Sequence, residues 1–441
     1  MKSLFLFLMP AALIAQATGA AGARDDSFVL KGATVHTMAG AEIQNGTVIV
    51  RAGKIIGVGK NLAVPKDLKV IDGKGLQVYP GMIDAGTEVG LIEINAVRES
   101  EDVTEIGKFN PQLVALTAVN PSSEHIPVTR FNGITTVATM PEGTVIGGQV
   151  SLIHMDGWTT DEMGVKPRAG LQLRFPSIAL PGGRGGGGGN PDADPTSPLA
   201  AARSFTNLKQ AYDKEISELN AFFEDAHRYK LAKDAKAVGF KPDLKLDAMI
   251  PVIEGKEPIL VTARREREIR DAIAWSDKQK VKIILIDAAE AYKVTKEIKD
   301  HNIPVILGPS LALPLGEDSD YDQAYKTPAA LQKAGIQFSF ATLTGGANLA
   351  SRNLPYQVGQ AVAFGLSHDD AIKAVTKNAA DIWGVGDQIG TVEEGKWADL
   401  LVVDGDPLEA QSSIKMLFIK GKPVDLDNKQ KDLYEKYLNR P

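Results

Sequence analysis

The feature that most constrains the fold is a change of pattern along the chain. Both ends carry short apolar runs set off by glycine turns, whereas the middle alternates apolar runs with amphipathic segments. Near the N-terminus, Thr47-Val48-Ile49-Val50, then Arg51-Ala52-Gly53-Lys54, then Ile55-Ile56-Gly57-Val58 spell strand, turn, strand. Val70-Ile71 and Leu76-Gln77-Val78-Tyr79 add further short strands. The C-terminal part mirrors them in Asp399-Leu400-Leu401-Val402-Val403 and Met416-Leu417-Phe418-Ile419, the second closed by Gly421-Lys422-Pro423. Between these flanks, strands are expected at Ile134-Thr135-Thr136-Val137-Ala138, Pro258-Ile259-Leu260-Val261-Thr262, Ile283-Ile284-Leu285-Ile286, Pro304-Val305-Ile306-Leu307 and Gln337-Phe338-Ser339-Phe340-Ala341. Helices are expected over 266–278, 289–300, 327–334, 354–366 and 368–382. This alternation predicts parallel β/α units whose strands end in small or polar residues around a common mouth.

A chain of 441 residues is long enough for a barrel with a smaller domain beside it. With 44% hydrophobic and 24% charged residues it has an ordinary globular composition. A net charge of −6 supplies no basic field to recruit phosphates, so nucleic acid is not an expected partner. The absence of cysteine excludes disulfides and thiolate metal sites. Lys2, the apolar run Leu4 to Ala15 and the small-residue steps Ala15-Gln16-Ala17 and Ala21-Gly22-Ala23 have the form of a cleaved secretory signal over residues 1–23. The expectation is therefore export across the inner membrane, into a periplasm. The run is too short to span a bilayer comfortably.

Residues 181–200 interrupt the alternation with Gly182-Gly183-Arg184, five consecutive glycines and a Pro/Asp-rich stretch. No strand leads into this segment and no helix N-terminus directly follows, so it reads as a flexible insertion rather than a phosphate-binding loop. After it, Leu208, Tyr212, Ile216, Leu219 and Phe223 form a helical stripe over 201–232, read as packing.

Four segments carry a resemblance. They are Pro80-Gly81-Met82-Ile83-Asp84-Ala85; Gly133-Ile134-Thr135-Thr136-Val137; Thr376-Lys377-Asn378-Ala379-Ala380-Asp381-Ile382-Trp383-Gly384; and Ile389 to Leu400, reading Ile-Gly-Thr-Val-Glu-Glu-Gly-Lys-Trp-Ala-Asp-Leu. In this order they resemble the amidohydrolase superfamily, in its imidazolonepropionase-like and prolidase-like branch. The resemblance implies an α/β fold. A (β/α)8 barrel would span 81–388, a composite β-sandwich would be formed by 24–80 plus 389–425, and a tail would cover 426–441. It also implies a hydrolase of C–N bonds in cyclic amides and small peptides, with zinc or a similar divalent metal activating water.

The residues depart from that pattern where the metal would be held. The family's His-x-His after the first barrel strand is here Gly86-Thr87-Glu88. After the fifth strand, where a His usually stands, the chain reads Thr262-Ala263-Arg264; after the sixth, Asp287-Ala288-Ala289. Near the last strand, where an Asp should be ligand and general base, it reads Thr342-Leu343-Thr344-Gly345-Gly346. Glycine, threonine and leucine do not replace an imidazole as metal donor. No metal ligands and no cofactor are expected. Of the six histidines, only His125 and His154 fall near possible site loops, and a lone histidine is more often structural than a ligand.

The polar residues left at these positions are the candidates. Glu88, Arg264 and Asp287 are candidate catalytic residues, and Gly86, Thr262, Leu343 and Thr344 are candidate binding positions at the barrel mouth. Arg264 could supply the positive charge a metal would give, pairing with Glu88 and Asp287, since buried carboxylates need such a partner. Alternatively, Arg264 to Glu268 simply begins a helix with paired charges, Arg264 with Glu268 and Glu266 with Arg270. Three functions compete on these grounds. The first is a C–N hydrolase with a non-standard site using Glu88 and Asp287. The second is a silent relative binding a small amide or peptide. The third is a partner of an active amidohydrolase homologue or of itself.

Overall fold

The computed structural model describes residues 26–178, 198–315, 319–343 and 348–440. The expected signal segment 1–23, most of the glycine-rich insertion and Thr344 lie outside the described residues.

The N-terminal strands are β1 (Phe28–Val35), β2 (Ile43–Arg51), β3 (Lys54–Gly59), β4 (Lys69–Asp72) and β5 (Gln77–Pro80). The barrel strands follow: β6 (Met82–Thr87), β7 (Ile134–Thr139), β8 (Ile146–His154), β9 (Gly164–Arg174), β10 (Ile259–Thr262), β11 (Ile283–Ile286), β12 (Val305–Leu307) and β13 (Phe338–Phe340). The last strands are β14 (Leu400–Asp404), β15 (Ser413–Ile419) and β16 (Lys422–Pro423). Helices lie between and after them: α1 (His125–Arg130), α2 (Thr160–Met163), α3 (Pro198–Asp234), α4 (Leu244–Ile253), α5 (Glu266–Gln279), α6 (Thr295–Asp300), α7 (Gln323–Ala334), α8 (Leu354–Ala363), α9 (His368–Ala374), α10 (Lys377–Ile382) and α11 (Lys429–Leu438).

Strands from both chain ends join one eight-stranded sheet in the order β16-β15-β14-β5-β1-β2-β3, with β4 also paired to β1. The central junction is the antiparallel pairing of β5 with β14, Leu401 opposite Tyr79. Phe28, Leu30, Val48, Val50, Leu400 and Phe418 bury their side chains in a common cluster of this sheet. The sheet is tied to the barrel by Asp399, at the start of β14. Its carbonyl accepts from Gly81 N at 2.8 Å, and its carboxylate meets His154 Nε2 at 2.9 Å and Lys420 N at 2.8 Å. Gly81 itself is dictated by packing, because a Cβ there would lie 2.2 Å from the Thr135 side chain.

The second sheet runs β6 to β13 in chain order and curls into a nearly closed barrel. Short apolar strands buried on both faces are what a helix-covered parallel sheet requires. Alternate residues divide accordingly: Leu260, Ile284, Ile286 and Ile306 fill the barrel, while Ile259, Val261, Leu285 and Val305 pack against the helices. One expectation needs correction. β8 is antiparallel to both β7 and β9, so the wall is not a uniform set of parallel β/α units. β7, β8 and β9 are joined by short connections, which antiparallel neighbours allow and parallel ones do not. The long connection from β6 to α1, residues 88–124, instead bridges onto this part of the wall, with Phe109 beside Ile146 and Val114 beside Gln149.

The helices agree with the pattern in the second half of the chain, with three refinements. The segment expected over 289–300 is a 3-10 turn at Ala291–Lys293 followed by α-helix only over Thr295–Asp300. The segment expected over 368–382 is two helices, broken at Thr376. The 426–441 tail contains the helix α11. On α3, Leu219 and Phe223 are fully buried, so its stripe is packing, as expected. No described helix is long and apolar enough to cross a membrane.

Candidate functional site

The barrel mouth is the rim where β6, β7, β9 and β10 to β13 end, the usual location of chemistry in such folds. β6 and β13 come together there without a continuous ladder. The seam is closed instead by Leu343 N donating to Gly86 O at 2.9 Å and by a carboxylate, Asp84. Asp84 Oδ1 accepts from Gly86 N at 3.2 Å and Thr342 N at 3.0 Å. Its Oδ2 accepts from Thr342 Oγ1 and, at 2.8 Å, from Ser351 Oγ. Ser351 Oγ also lies 2.7 Å from Thr87 Oγ1. Burial pushes the Asp84 carboxyl up to about 6, although all four hydrogen bonds pull the other way. Leu343 stands where the family's Asp was expected, and the residue before it, Thr342, serves as a donor to Asp84. The sequence reading missed this residue as part of the site. Its signal was a lone carboxylate in the apolar run Met82-Ile83-Asp84-Ala85.

Gly86 lies where the first imidazole of a His-x-His pair would stand. The pairing of β6 with β7 shifts register between Asp84 and Thr87, so Gly86 sits in an irregular turn of the strand. A Cβ on Gly86 would lie 3.0 Å from Ile286 Cδ1, 3.1 Å from Ala341 Cβ and 3.1 Å from Met140 Sδ. Ile286 and Ala341 are fully buried. Beside Gly86 the barrel is thus packed by apolar side chains. It is filled from the other end by Trp383, whose indole Nε1 donates to Ala85 O at 3.2 Å. A divalent metal at the family's position needs several oxygen or nitrogen donors converging on one point. The side chains nearest a Cβ on Gly86 are Ile286, Ala341 and Met140, and none of them offers an oxygen or nitrogen donor. Among the described residues, no group of three or more His, Asp or Glu is arranged to hold a metal elsewhere.

The polar candidates gather off the axis. Arg264 Nε meets Asp287 Oδ2 at 2.9 Å, so the loops after β10 and β11 are joined by an ion pair. Glu268 does not pair with the Arg264 guanidinium. Its Oε2 caps α5 by accepting from Arg264 N at 2.8 Å and Arg265 N at 3.1 Å. The other pair expected on that helix, Arg270 with Glu266, is present at 3.1 Å. Burial pushes the Asp287 carboxyl up to about 6, with the Arg264 charge opposing and Glu268 reinforcing the shift. Asp287 has a left-handed backbone, φ 56°, and Leu343 another, φ 44°. Left-handed non-glycine residues are uncommon and gather at functional turns. Gly308 makes room for the carboxylate, since a Cβ there would lie 2.4 Å from Asp287 Oδ1 and 3.1 Å from Leu343 Cδ1.

This pair opens onto a cleft between the β11 and β12 exits and α7. Arg264, Asp287, Tyr292, Gly308, Leu313 and Tyr321 help to line it, and its empty volume with the open mouth included is about 700 Å³. Leu313 and Tyr321 are 89% and 78% exposed, which leaves an apolar rim around a charged floor. Such a combination suits a small amphipathic solute. The remaining candidates lie around the mouth. Glu88 is buried at the β6 exit, where its carbonyl accepts from Leu91 N at 2.9 Å. Thr262 ends β10 opposite Ile286, and Leu343 follows β13.

The histidines lie elsewhere. His154 ends the reversed strand β8, far from the β8 residue Ile146 that pairs with the exit of β9. It therefore points the Asp399 contact toward the opposite end of the barrel. His125 is buried with Nε2 2.8 Å from Glu93 O, and His36 stacks on Tyr79 with ring centroids 4.2 Å apart. His301 and His368 make pairs with Asp277 and Asp406.

Comparisons with known proteins agree with this architecture. Residues 267–424 match the amidohydrolase family model. The structure superposes on an amidohydrolase from Thermotoga maritima with a TM-score of 0.76 and 27% identity, covering 90% of this chain and 99% of the other. An imidazolonepropionase of Caldanaerobacter subterraneus is 23% identical over 402 residues, 83% of this chain and 86% of its own length. The amidohydrolase tasK of Hapsidospora irregularis is 22% identical over 405 residues; the chain matches 85% of itself to 39% of that longer protein. The barrel with its sheet built from both chain ends, the four motif segments in order and these similarities place the chain in the amidohydrolase superfamily.

Proposed function

We propose that this chain is an exported amidohydrolase-family protein that binds a small amide or peptide in the cleft beside Arg264 and Asp287, without the family's metal-assisted hydrolysis. The observation that carries this reading is the packing at Gly86. Ile286, Ala341 and Met140 occupy the space an imidazole would need. Of the polar candidates near the mouth, Arg264 and Asp287 line the rim cleft. There the Arg264 guanidinium, 48% exposed, offers donors to a carboxylate or amide oxygen, while Asp287 can accept from an amide N–H.

The test is thermal-shift and calorimetric titration of the purified protein with dipeptides and cyclic amides, with and without zinc. A binding ligand should stabilise the fold by about 2.7 kcal/mol at a hundredfold excess over Kd. Arg264→Ala should remove that shift and, because it leaves the mostly buried Asp287 carboxyl without its cation, should also lower intrinsic stability by roughly 1–3 kcal/mol. Amide hydrolysis that disappears with a chelator would overturn the reading. The mature N-terminus, sequenced from cell fractions, checks the export expected from residues 1–23.

A second reading is favoured by one observation. Asp287 borders the cleft with its carboxyl held at about 6, near the optimum for proton transfer at neutral pH. An active hydrolase would then use Glu88 and Asp287 as acid and base. It would show a rate changing through pH 6 that Asp287→Asn abolishes, with no dependence on metal.

A further inference from the structure

Helix α11 presents a puzzle that the barrel does not answer. It has ten residues, none of them buried. Helices shorter than about 12–15 residues are marginal in water unless a packed face supports them. It is anchored at its N-terminus, where the Asn428 side chain accepts from Gln430 N at 3.0 Å and Lys431 N at 3.1 Å. Yet it carries two apolar rows at helical spacing, Leu433 with Tyr437 and Tyr434 with Leu438, exposed by 40% to 66%. Phe131 (41% exposed) and Tyr356 (38%) stand close by. The patch is continuous, because Asn132 Nδ2 donates to Arg352 O at 2.6 Å and approaches Tyr356 OH at 3.4 Å, and Arg352 Nη1 donates to Gln430 Oε1 at 2.9 Å.

We propose that this face is a two-fold interface with a second copy of the same chain, made by antiparallel packing of α11 on α11. Two properties of the face argue for self-association. The first is charge order. One flank of the apolar rows carries Lys431 and Glu435, four residues apart. Reversing the helix sets Lys431 against Glu435 of the second copy, so the flank is complementary to itself in the antiparallel arrangement. The second is shape. Beside the helix, Val128, Phe131, Arg352 and Tyr434 frame a groove whose empty volume, open mouth included, is about 640 Å³. A groove and projecting side chains lying on the same face are what an isologous contact needs, because each copy then offers both. The proposal is independent of whatever occupies the rim cleft.

The experiment is sedimentation velocity and light scattering on the full chain, from about 1 to 100 µM, the range that resolves a micromolar Kd. The wild type should approach twice the monomer mass as concentration rises. Tyr434→Glu with Leu438→Glu should weaken association by at least about 100-fold, because it places charge on the apolar anchors. The melting transition of the barrel should be unchanged, since no residue of α11 is buried. Glu435→Lys should weaken the dimer by roughly 2- to 5-fold, and adding Lys431→Glu should restore it, which a merely apolar contact would not do. A wild type that stays monomeric throughout overturns the proposal. So does a dimer indifferent to Tyr434→Glu/Leu438→Glu.

Discussion

The exits of β6 and β11 lie on the same rim of the barrel, and both present an aspartate whose carboxyl is held near 6. Their surroundings differ in kind. Asp84 is completely enclosed, and its acceptor sites are used by Thr342, Ser351 and Gly86 to close the seam between the first and last strands. Asp287 meets one half-exposed arginine and opens onto a cleft. A carboxylate saturated by donors inside the protein is a fastening, whereas one held by a single movable cation can exchange that partner for a solute. The centre of the mouth has been given to packing and the edge to polar chemistry.

The largest effect should come from forcing a histidine into the packed surroundings of Gly86. Gly86→His would place an imidazole where even a Cβ meets Ile286, Ala341 and Met140 at 3.0–3.1 Å. It should cost about 3 kcal/mol or more in urea denaturation, since overpacking by far smaller groups already costs 1–3. If Gly86→His with Glu88→His instead folds at wild-type stability and takes up zinc, the centre is not the plug described above.

A pH series sharpens the likeness of the two aspartates. Each folded pKa is raised from 3.8 to about 6, so the native state binds these protons more tightly than the unfolded chain. Their contribution is therefore fully present below about pH 4 and is lost as pH rises through 6, at most ~3 kcal/mol for each group. Asp84→Asn and Asp287→Asn should each flatten the fall in stability between those values. A wild-type curve with no fall that these variants remove would mean that neither carboxyl is shifted.

The smallest effect separates the two sites most cleanly. In Gly308→Ala the added Cβ, 2.4 Å from Asp287 Oδ1, must turn that carboxylate away from Arg264. A loss of roughly 1–2 kcal/mol follows, with weakened ligand binding in the cleft. The seam at Asp84 should be untouched, which protection of the Thr342 amide in hydrogen exchange would report. Slowed binding with a faster-exchanging Thr342 would show that the two regions are coupled.

Much of the fold was legible. Ile283 to Ile286 and Val305 to Leu307 are strands because short β-branched runs between helices have no other stable use. The β5–β14 junction followed from apolar runs at both chain ends. The antiparallel β8 was not legible, since Ile146 to His154 reads equally as buried strand or helix core, and direction is set by connection length. At the site, the loss of histidines was plain in the letters. The Arg264–Asp287 contact was expected as one of two alternatives. Asp84 was passed over because it belongs to the motif that identifies the fold.

The sequence by itself determined the family, the barrel and the absence of an imidazole at four ligand positions, because these depend on local pattern and residue identity. Only the tertiary structure decided what replaced the imidazoles. Gly86, Met140, Ile286 and Ala341 are far apart along the chain, and their convergence on one volume is a property of barrel closure. The same is true of Asp84, which takes its donors, apart from Gly86 N, from residues 258 and 267 positions away in sequence. Packing and hydrogen-bond saturation are relations between distant residues, so no local reading could tell that one aspartate is enclosed and the other borders a cleft.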